Sequence, residues 1–377
     1  MHSSAICPDI CIAGGGIIGL SLALELHRRG ARVTVLDQGD PLSQASTAAA
    51  GMLAASDPEN PSQLSSLSRF SISLYPDYLA YLRELSGLNV PFQTSKTLQA
   101  LPHKSLATSN TLTAVELSRL LPQLVPGDYR FTLLEEHSLD PRELARALLA
   151  AVRSTTIDLR PHAPIRIVRS LNQPIEVHTL TSTLHPSFFV DCTGAWATTS
   201  SRLPHLRVTP RKGQMLAVSL PPSLPLHLVV RTPDIYVVPR IAGPTPIRAI
   251  IGATVEDAGF DTTVHPSDIA SLRSQAAALL PPLAHAPELE SWAGLRPATS
   301  DGLPILGSLP GQTNHLLATG HYRNGILLAP ATAHVVAQLI YNETPSIALS
   351  AYAPDRNPLN ASNTNVAQPF RYSPNEP

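Results

Sequence analysis

The sequence predicts an α/β protein in two parts: a parallel sheet with helices on its faces, and a mainly antiparallel β unit inserted into it. Three observations carry this. An apolar run at residues 10–13 ends in Gly14-x-Gly16-x-x-Gly19, passes into a helical pattern, and is followed by a second apolar run ending in Asp37. Residues 208–289 read mostly as strands. Segments of the first kind then return, with Gly320-His-Tyr-Arg-Asn-Gly325 leading into an apolar helix that reaches Ile340.

The first of these is a βαβ unit of the kind that holds a dinucleotide pyrophosphate. Gly14 allows the tight turn, Gly16 lets the backbone approach the phosphates, and Gly19 lets the helix sit close to the strand. The exposed N–H groups and dipole of the new helix attract the anion. Asp37, about twenty residues on, is placed to accept hydrogen bonds from ribose hydroxyls. NAD, NADP and FAD all use this arrangement, although an acid at 37 argues against a 2′-phosphate.

Bulk properties narrow the class. At 377 residues two domains are the natural expectation, and 43% hydrophobic content supports sizeable cores. A net charge of −1 points to neither nucleic acid nor an anionic membrane as partner. Cys7, Cys11 and Cys192 have no CxxC spacing and no paired histidines, so neither a disulfide framework nor a zinc site is indicated, and no metal is expected. Cys11 and Cys192 sit in apolar runs and read as free buried thiols. The apolar stretch at 10–24 is broken by three glycines and is neither a signal peptide nor a membrane span. The cytoplasm is the expected location.

In chain order, residues 45–54 form a run of small side chains that fits either a core helix or a segment where backbone lies close to a bulky flat ligand. In the second case Ser46 and Thr47 supply hydroxyls for a phosphate. Residues 62–86 predict an amphipathic helix closed by Gly87, and 91–101 a strand leading away from the first unit. A short helix at 112–121 carries Thr113 and Glu116 as a capping box, and 129–134 is strand-like. Asp140-Pro141 starts a helix to about Arg153, followed by a strand pair at 157–159 and 165–168. Residues 188–191 form a buried strand ending near Thr193-Gly194. Strands at 214–218, 228–230, 235–240 and 249–254, with a helix at 267–280, make the antiparallel unit. Residues 353–377 are rich in Pro, Asn and Ser without an apolar period and read as a disordered tail.

Taken together, the fingerprint at 14–19, Ser46-Thr-Ala-Ala-Ala-Gly-Met-Leu53, Pro210-Arg-Lys-Gly-Gln-Met215, Tyr236-Val-Val-Pro-Arg240, Gly294-Leu-Arg-Pro-Ala-Thr-Ser-Asp-Gly302 and Gly320-His-Tyr-Arg-Asn-Gly-Ile-Leu-Leu-Ala-Pro330 resemble the D-amino-acid oxidase and sarcosine oxidase family of FAD enzymes. Within it they are most similar to the glycine oxidases that serve the thiazole branch of thiamine biosynthesis. The resemblance implies an FAD-binding Rossmann-like domain of the glutathione-reductase type at 5–88, 138–200 and 290–345. It implies a substrate domain at 89–137 and 201–289. It further implies that Ile17 and Ile18 meet the pyrophosphate through backbone and that Asp37 and Gln38 meet the adenosine ribose. Ala45, Ser46, Ala50, Gly51 and Met52 would line pyrophosphate and flavin, and Ile165 would contact adenine. His321, Tyr322, Arg323, Asn324, Gly325, Ile326 and Leu327 would wrap the flavin ring. Arg296 would hold the substrate carboxylate, helped by Tyr236, with Arg323 at the same pocket.

The expected reaction is oxidation of glycine, with sarcosine and small D-amino acids as lesser substrates, by O2. Position 37 is Asp where relatives often carry Glu, and no cysteine lies near 301–307 where sarcosine oxidases bond the flavin, which favours noncovalent FAD. The resemblance leaves a homo-oligomer, dimer or tetramer, open. Arg suits a carboxylate because its fork binds two oxygens and stays charged. Hydride loss to a flavin needs positioning more than a strong base, so no general base is nominated, and His321 fits a packing and hydrogen-bonding role equally well. Two rival readings keep the sequence features: a D-amino-acid or amine dehydrogenase passing electrons to a non-oxygen acceptor, and a non-catalytic nucleotide-binding protein.

Overall fold

The computed structural model describes residues 9–102, 110–169, 175–200 and 207–357. Strand β1 (Asp9–Ala13) turns at Gly14, whose φ of 98° is left-handed, into helix α1 (Ile17–Arg28). A Cβ on Gly19 would overlap the carbonyl oxygen of Gly14, so only glycine lets α1 sit this close to the turn. β2 (Arg32–Leu36) returns parallel to β1, with Ile10 beside Val33 and Ile12 beside Val35. The small-residue run is helical only over α2 (Ala45–Ala48); Ala49 leaves it in extended form and Gly51 turns at a left-handed φ of 76°. Helix α3 (Ser65–Ser86) ends on Gly87 at φ 71°.

Next come β3 (Phe92–Thr94), β4 (Thr97–Pro102), α4 (Ala114–Leu120) and β5 (Tyr129–Leu134). The capping box of α4 is formed, with Thr113 Oγ1 accepting from Glu116 N–H and Glu116 Oε2 accepting from Thr113 N–H at 2.8 Å. After β6 (Ser138–Leu139), α5 (Pro141–Arg153) begins at the Asp140 cap, which accepts from Arg142 N–H at 2.9 Å. β7 (Asp158–Arg160) and β8 (Ile167–Arg169) are strands but do not pair with each other as expected. β7 joins β2, while β8 joins β9 (Glu176–His178) and β10 (Thr183–Leu184) in a separate three-stranded sheet. Adjacency in sequence pairs β7 with β8, but long-range pairing gives each another partner.

β11 (Phe188–Asp191) runs parallel to β1. The chain then makes β12 (Thr209–Ser219), β13 (Val229–Arg231), β14 (Tyr236–Arg240), β15 (Arg248–Gly252) and α6 (Pro266–Leu279). β16 (Glu288–Ala298), β17 (Ile305–Leu309), β18 (Gln312–Thr319) and α7 (Gly325–Ile340) complete the order.

Two sheets organise these strands. The six-stranded sheet has the order β17-β18-β11-β1-β2-β7 and is parallel except at the β17 edge. Its core includes apolar residues of α1, α3, α5 and α7. The seven-stranded sheet, β16-β12-β15-β14-β13-β4-β5, is antiparallel except where β13 meets β4. Alternation sorts its faces. Leu216 and Val218 pack with α6, whereas Met215 and Ala217 face Ala50 and Tyr236.

Two differences from the sequence reading concern boundaries. Residues 288–298, assigned above to the nucleotide unit from 290 onward, pair along their length with β12, so that segment belongs to the antiparallel sheet. An apolar strand does not reveal locally which sheet it joins. The start of the expected disordered tail is ordered: Arg356 Nε lies 2.8 Å from Asp301 Oδ2, and Tyr352 is fully buried just before it. The remainder, 358–377, lies outside the described residues, as does Cys7. No helix among the described residues is long and apolar enough to cross a membrane.

Candidate active site

The turn after β1 is stitched by Asp37. Its Oδ2 accepts from Gly15 N–H at 2.6 Å and its Oδ1 from Gly39 N–H at 2.9 Å. Each carboxylate oxygen keeps a lone pair for a further donor such as a ribose hydroxyl. Ser46 Oγ accepts from Ile17 N–H at 2.9 Å, which ties α2 to the start of α1 and leaves the Ser46 proton free to donate. Thr47 differs from expectation: its hydroxyl donates to Leu42 O at 2.9 Å and is committed to the local turn.

A single cavity of about 2090 Å³ joins this turn to the C-terminal motif. Ordinary small-ligand pockets run roughly 300–1,000 Å³, so there is room for a dinucleotide and a small substrate together. Gly14, Gly16, Ile17, Ile18, Asp37, Gln38, Ala45, Ser46, Ala50, Gly51, Met52 and Ile165 are on its wall. So are Arg296, Tyr236 and the segment from His321 to Ile326. Two expected contacts are not on that wall. Gly19 is the close-packing position under α1, and the Leu327 side chain is buried in the helical core with 1% exposure. Ile165 lies in the loop before β8 rather than in a strand.

Glycines on this wall let neighbouring segments pack tightly around the cavity: a Cβ at Gly51 would come 2.8 Å from Pro141, and one at Gly14 would come 2.5 Å from the Cys192 carbonyl. Gly294 is likewise held against Ala48, and Trp292 Nε1 donates to Ala48 O at 3.1 Å, so β16 positions α2. The first turns of α1 and α7 both open at this cavity, and the positive ends of the two helix dipoles favour negative charge there.

The opposite wall is one face of the seven-stranded sheet. Arg296 on β16 donates from Nη1 to Thr254 O at 3.0 Å, and among the described residues it is paired with no carboxylate. Tyr236 on β14 donates to Met215 Sδ at 3.1 Å. Burial pushes the Tyr236 hydroxyl up in pKa, against the pull of Arg296, so it stays protonated and able to donate. Arg323 reaches the cavity already paired, Nη1 to Glu59 at 2.6 Å and Nη2 to Asp57 at 3.0 Å.

His321 is 3% exposed, with Nε2 3.0 Å from Thr332 Oγ1 on α7. Burial lowers its pKa to about 3, so the ring is neutral and a poor proton acceptor. Tyr322 adopts φ 49° and donates its N–H to Pro297 O at 2.8 Å. Asn324 Nδ2 donates to Asn60 Oδ1 at 2.9 Å. Ser71 and Tyr75 of α3 donate to the carbonyls of Leu327 and Ile326 at 2.6 and 2.5 Å, fixing the first turn of α7 over the cavity.

Sequence reasoning missed Asp57, Glu59, Gln99 and Arg231, which also line the cavity, and gave no role to Gly213 and Gly252. The two acids sit in a loop without periodicity. Gly213 lies inside a motif that was noted, and its isolation within a strand is the signal for a close approach.

The family described as FAD dependent oxidoreductase matches residues 9–339, and the chain belongs to it; its cofactor is FAD. The chain is 39% identical over 376 residues to a bifunctional ThiO/ThiG protein of Trichormus variabilis, covering 94% of this chain and 56% of that one. It therefore spans just over half of that relative. It is 31% identical to a glycine oxidase of Geobacillus kaustophilus, covering 92% of this chain and 96% of that protein. The crystal structure of glycine oxidase from Geobacillus kaustophilus superposes with a TM-score of 0.85 at 30% identity, covering 93% of this chain and 99% of that one.

Proposed function

We propose that this member of the FAD-dependent oxidoreductase family oxidises glycine, with sarcosine and small D-amino acids as lesser substrates. Glycine, O2 and water yield glyoxylate, ammonia and hydrogen peroxide, with the imine before hydrolysis available to the thiazole of thiamine. The observation that carries the reading is Arg296, a cation facing the cavity with carbonyl oxygens but, among the described residues, no acid beside it. Its similarity to glycine oxidases along nearly their full length names the substrate.

FAD, when bound, supplies a two-electron acceptor that O2 reoxidises. The chain supplies position. Arg296 grips the amino-acid carboxylate through two parallel N–H donors, and the protonated Tyr236 hydroxyl on β14 adds a third donor from the same face of the sheet. Fixing the carboxylate orients the α-carbon without a proton-transfer group, in keeping with a neutral, poorly basic His321. The N–H groups opening α7 favour negative charge gathering above them. FAD is held noncovalently in this reading, since the described cysteines are buried and burial raises both thiols, Cys11 to about 12. The FAD unit comprises the six-stranded sheet and its helices, and the substrate unit the seven-stranded sheet. The enzyme works in the cytoplasm.

The test is direct. Purified protein should be yellow, release flavin on denaturation, and produce peroxide from glycine in air. Flavin reduction by glycine without oxygen uptake would sink the oxidase reading in favour of a dehydrogenase.

A further inference from the structure

Asp57 stands between two arginines of the cavity wall. Its carboxylate is 3.0 Å from Arg323 Nη2 and 3.9 Å from Arg231 Nη1. The place of Arg231 follows from strand register. Gln99, Arg231, Tyr236 and Gly252 are partners in one row across β4, β13, β14 and β15, and partners in a row share a face. Met215 and Trp292 continue that row, and two-residue alternation along β16 brings Arg296 onto the same face. Arg231 is thus one strand from Tyr236, on the side away from β16.

The charges on this wall are nearly balanced. Arg231 is 4% exposed, 3.1 Å from the buried Glu136, and donates from Nε to Gln99 Oε1. Its two terminal nitrogens are buried without a well-aligned hydrogen bond among the described residues, which leaves them capacity for an acid. Arg323 holds Glu59 as well as Asp57. Beyond Tyr236, a substrate therefore meets guanidinium groups already paired with fixed carboxylates, whereas at Arg296 it meets a cation that no acid among the described residues compensates.

Resting on the reading that Arg296 holds the substrate carboxylate, we propose that Asp57 excludes a second acidic group from the pocket, so that the site accepts monocarboxylic amino acids and rejects dicarboxylic ones. It does so by sharing Arg323 with Glu59 and Arg231 with Glu136, and by repelling an incoming anion. Inside a protein, a unit charge at this range is worth an order of magnitude or more in a binding constant.

The test titrates the FAD-loaded enzyme with acetate and with malonate at constant ionic strength, following flavin absorbance. In the unmodified enzyme malonate should bind at least tenfold more weakly than acetate. Asp57→Asn, which keeps the shape and removes the charge, should tighten malonate at least tenfold while acetate stays within threefold. An unchanged malonate-to-acetate ratio, or equal weakening of both acids, would overturn the proposal and leave Asp57 as a loop latch. Should the Asn variant lose flavin, Asp57→Ser serves under the same criteria, and equal binding of the two acids by the unmodified enzyme overturns the idea without any variant. The underlying assignment is checked apart from this: acetate binding that survives Arg296→Ala would refute the carboxylate role of Arg296 whatever Asp57 does.

Discussion

The guanidinium of Arg296 lies across the α-carbon of Gly213, in the space that any side chain at 213 would need. The two residues are diagonal neighbours on β16 and β12, whose register pairs Arg296 with Arg211 and Gly213 with Gly294. A methyl group at 213 would meet the movable end of an arginine rather than fixed backbone, so the fold should survive while the guanidinium moves. Gly213→Ala should raise KM for glycine about tenfold, in line with roughly 1.4 kcal/mol of lost binding, and leave flavin content and Tm near those of the parent. The double-mutant cycle decides it: in an Arg296→Ala background the same change should have no further effect on KM.

Arg296→Ala itself should leave the protein yellow and raise KM for glycine by about a hundredfold or more, since hydrogen bonds to charged groups are worth roughly 1.5–3 kcal/mol each. Arg296→Lys keeps the charge but not the fork and should recover only part of the loss. Steady-state peroxide assays over a wide glycine range check both, and unchanged kinetics would refute the assignment.

His321 makes stability depend on pH in a definite direction. Burial lowers its pKa from 6.5 to about 3 in the folded chain, so below pH 6.5 the unfolded chain takes up a proton that the folded chain refuses. Stability contributed by the neutral ring is present above pH 6.5 and is lost as pH falls toward 3, by up to about 1.4 kcal/mol per pH unit. His321→Gln should flatten this part of the acid limb. Urea unfolding from pH 7 to 4 measures it.

Arg356 anchors the segment after the last short helical turn. It pairs with Asp301 at 2.8 Å, where the two side chains are 7% and 2% exposed, and also donates to Leu303 O at 2.9 Å. Removing it strands a buried carboxylate, so Arg356→Ala should cost about 3–5 kcal/mol. Arg356→Ala with Asp301→Asn should recover much of that. Thermal unfolding of the three variants checks the pair.

Much of this protein was legible without coordinates. The βαβ fingerprint, the capping box at Thr113 and Glu116, the Asp140-Pro141 helix start and the alternation in the antiparallel unit are local signals, set by turn chemistry and by periods of two and 3.6 residues. Those signals identified the segments that surround the cavity, because glycine and small residues mark where backbone must approach something closely. Local pattern could not say which strands pair, because an apolar strand carries no address. Hence β16 joined the antiparallel sheet, and β7 and β8 went to different sheets.

What only the tertiary structure decided was which charges meet. Asp57 and Arg231 are 174 positions apart in the chain and 3.9 Å apart in space. Gly213 and Arg296 become neighbours only through the register of β12 and β16. The sequence by itself determined the elements and the glycines of the cofactor turn, because helix periods, strand alternation and turn chemistry are set within a few residues. The tertiary structure decided that among the described residues Arg296 meets no acid while Arg323 meets two, because ion pairing depends on distances that long-range packing alone sets.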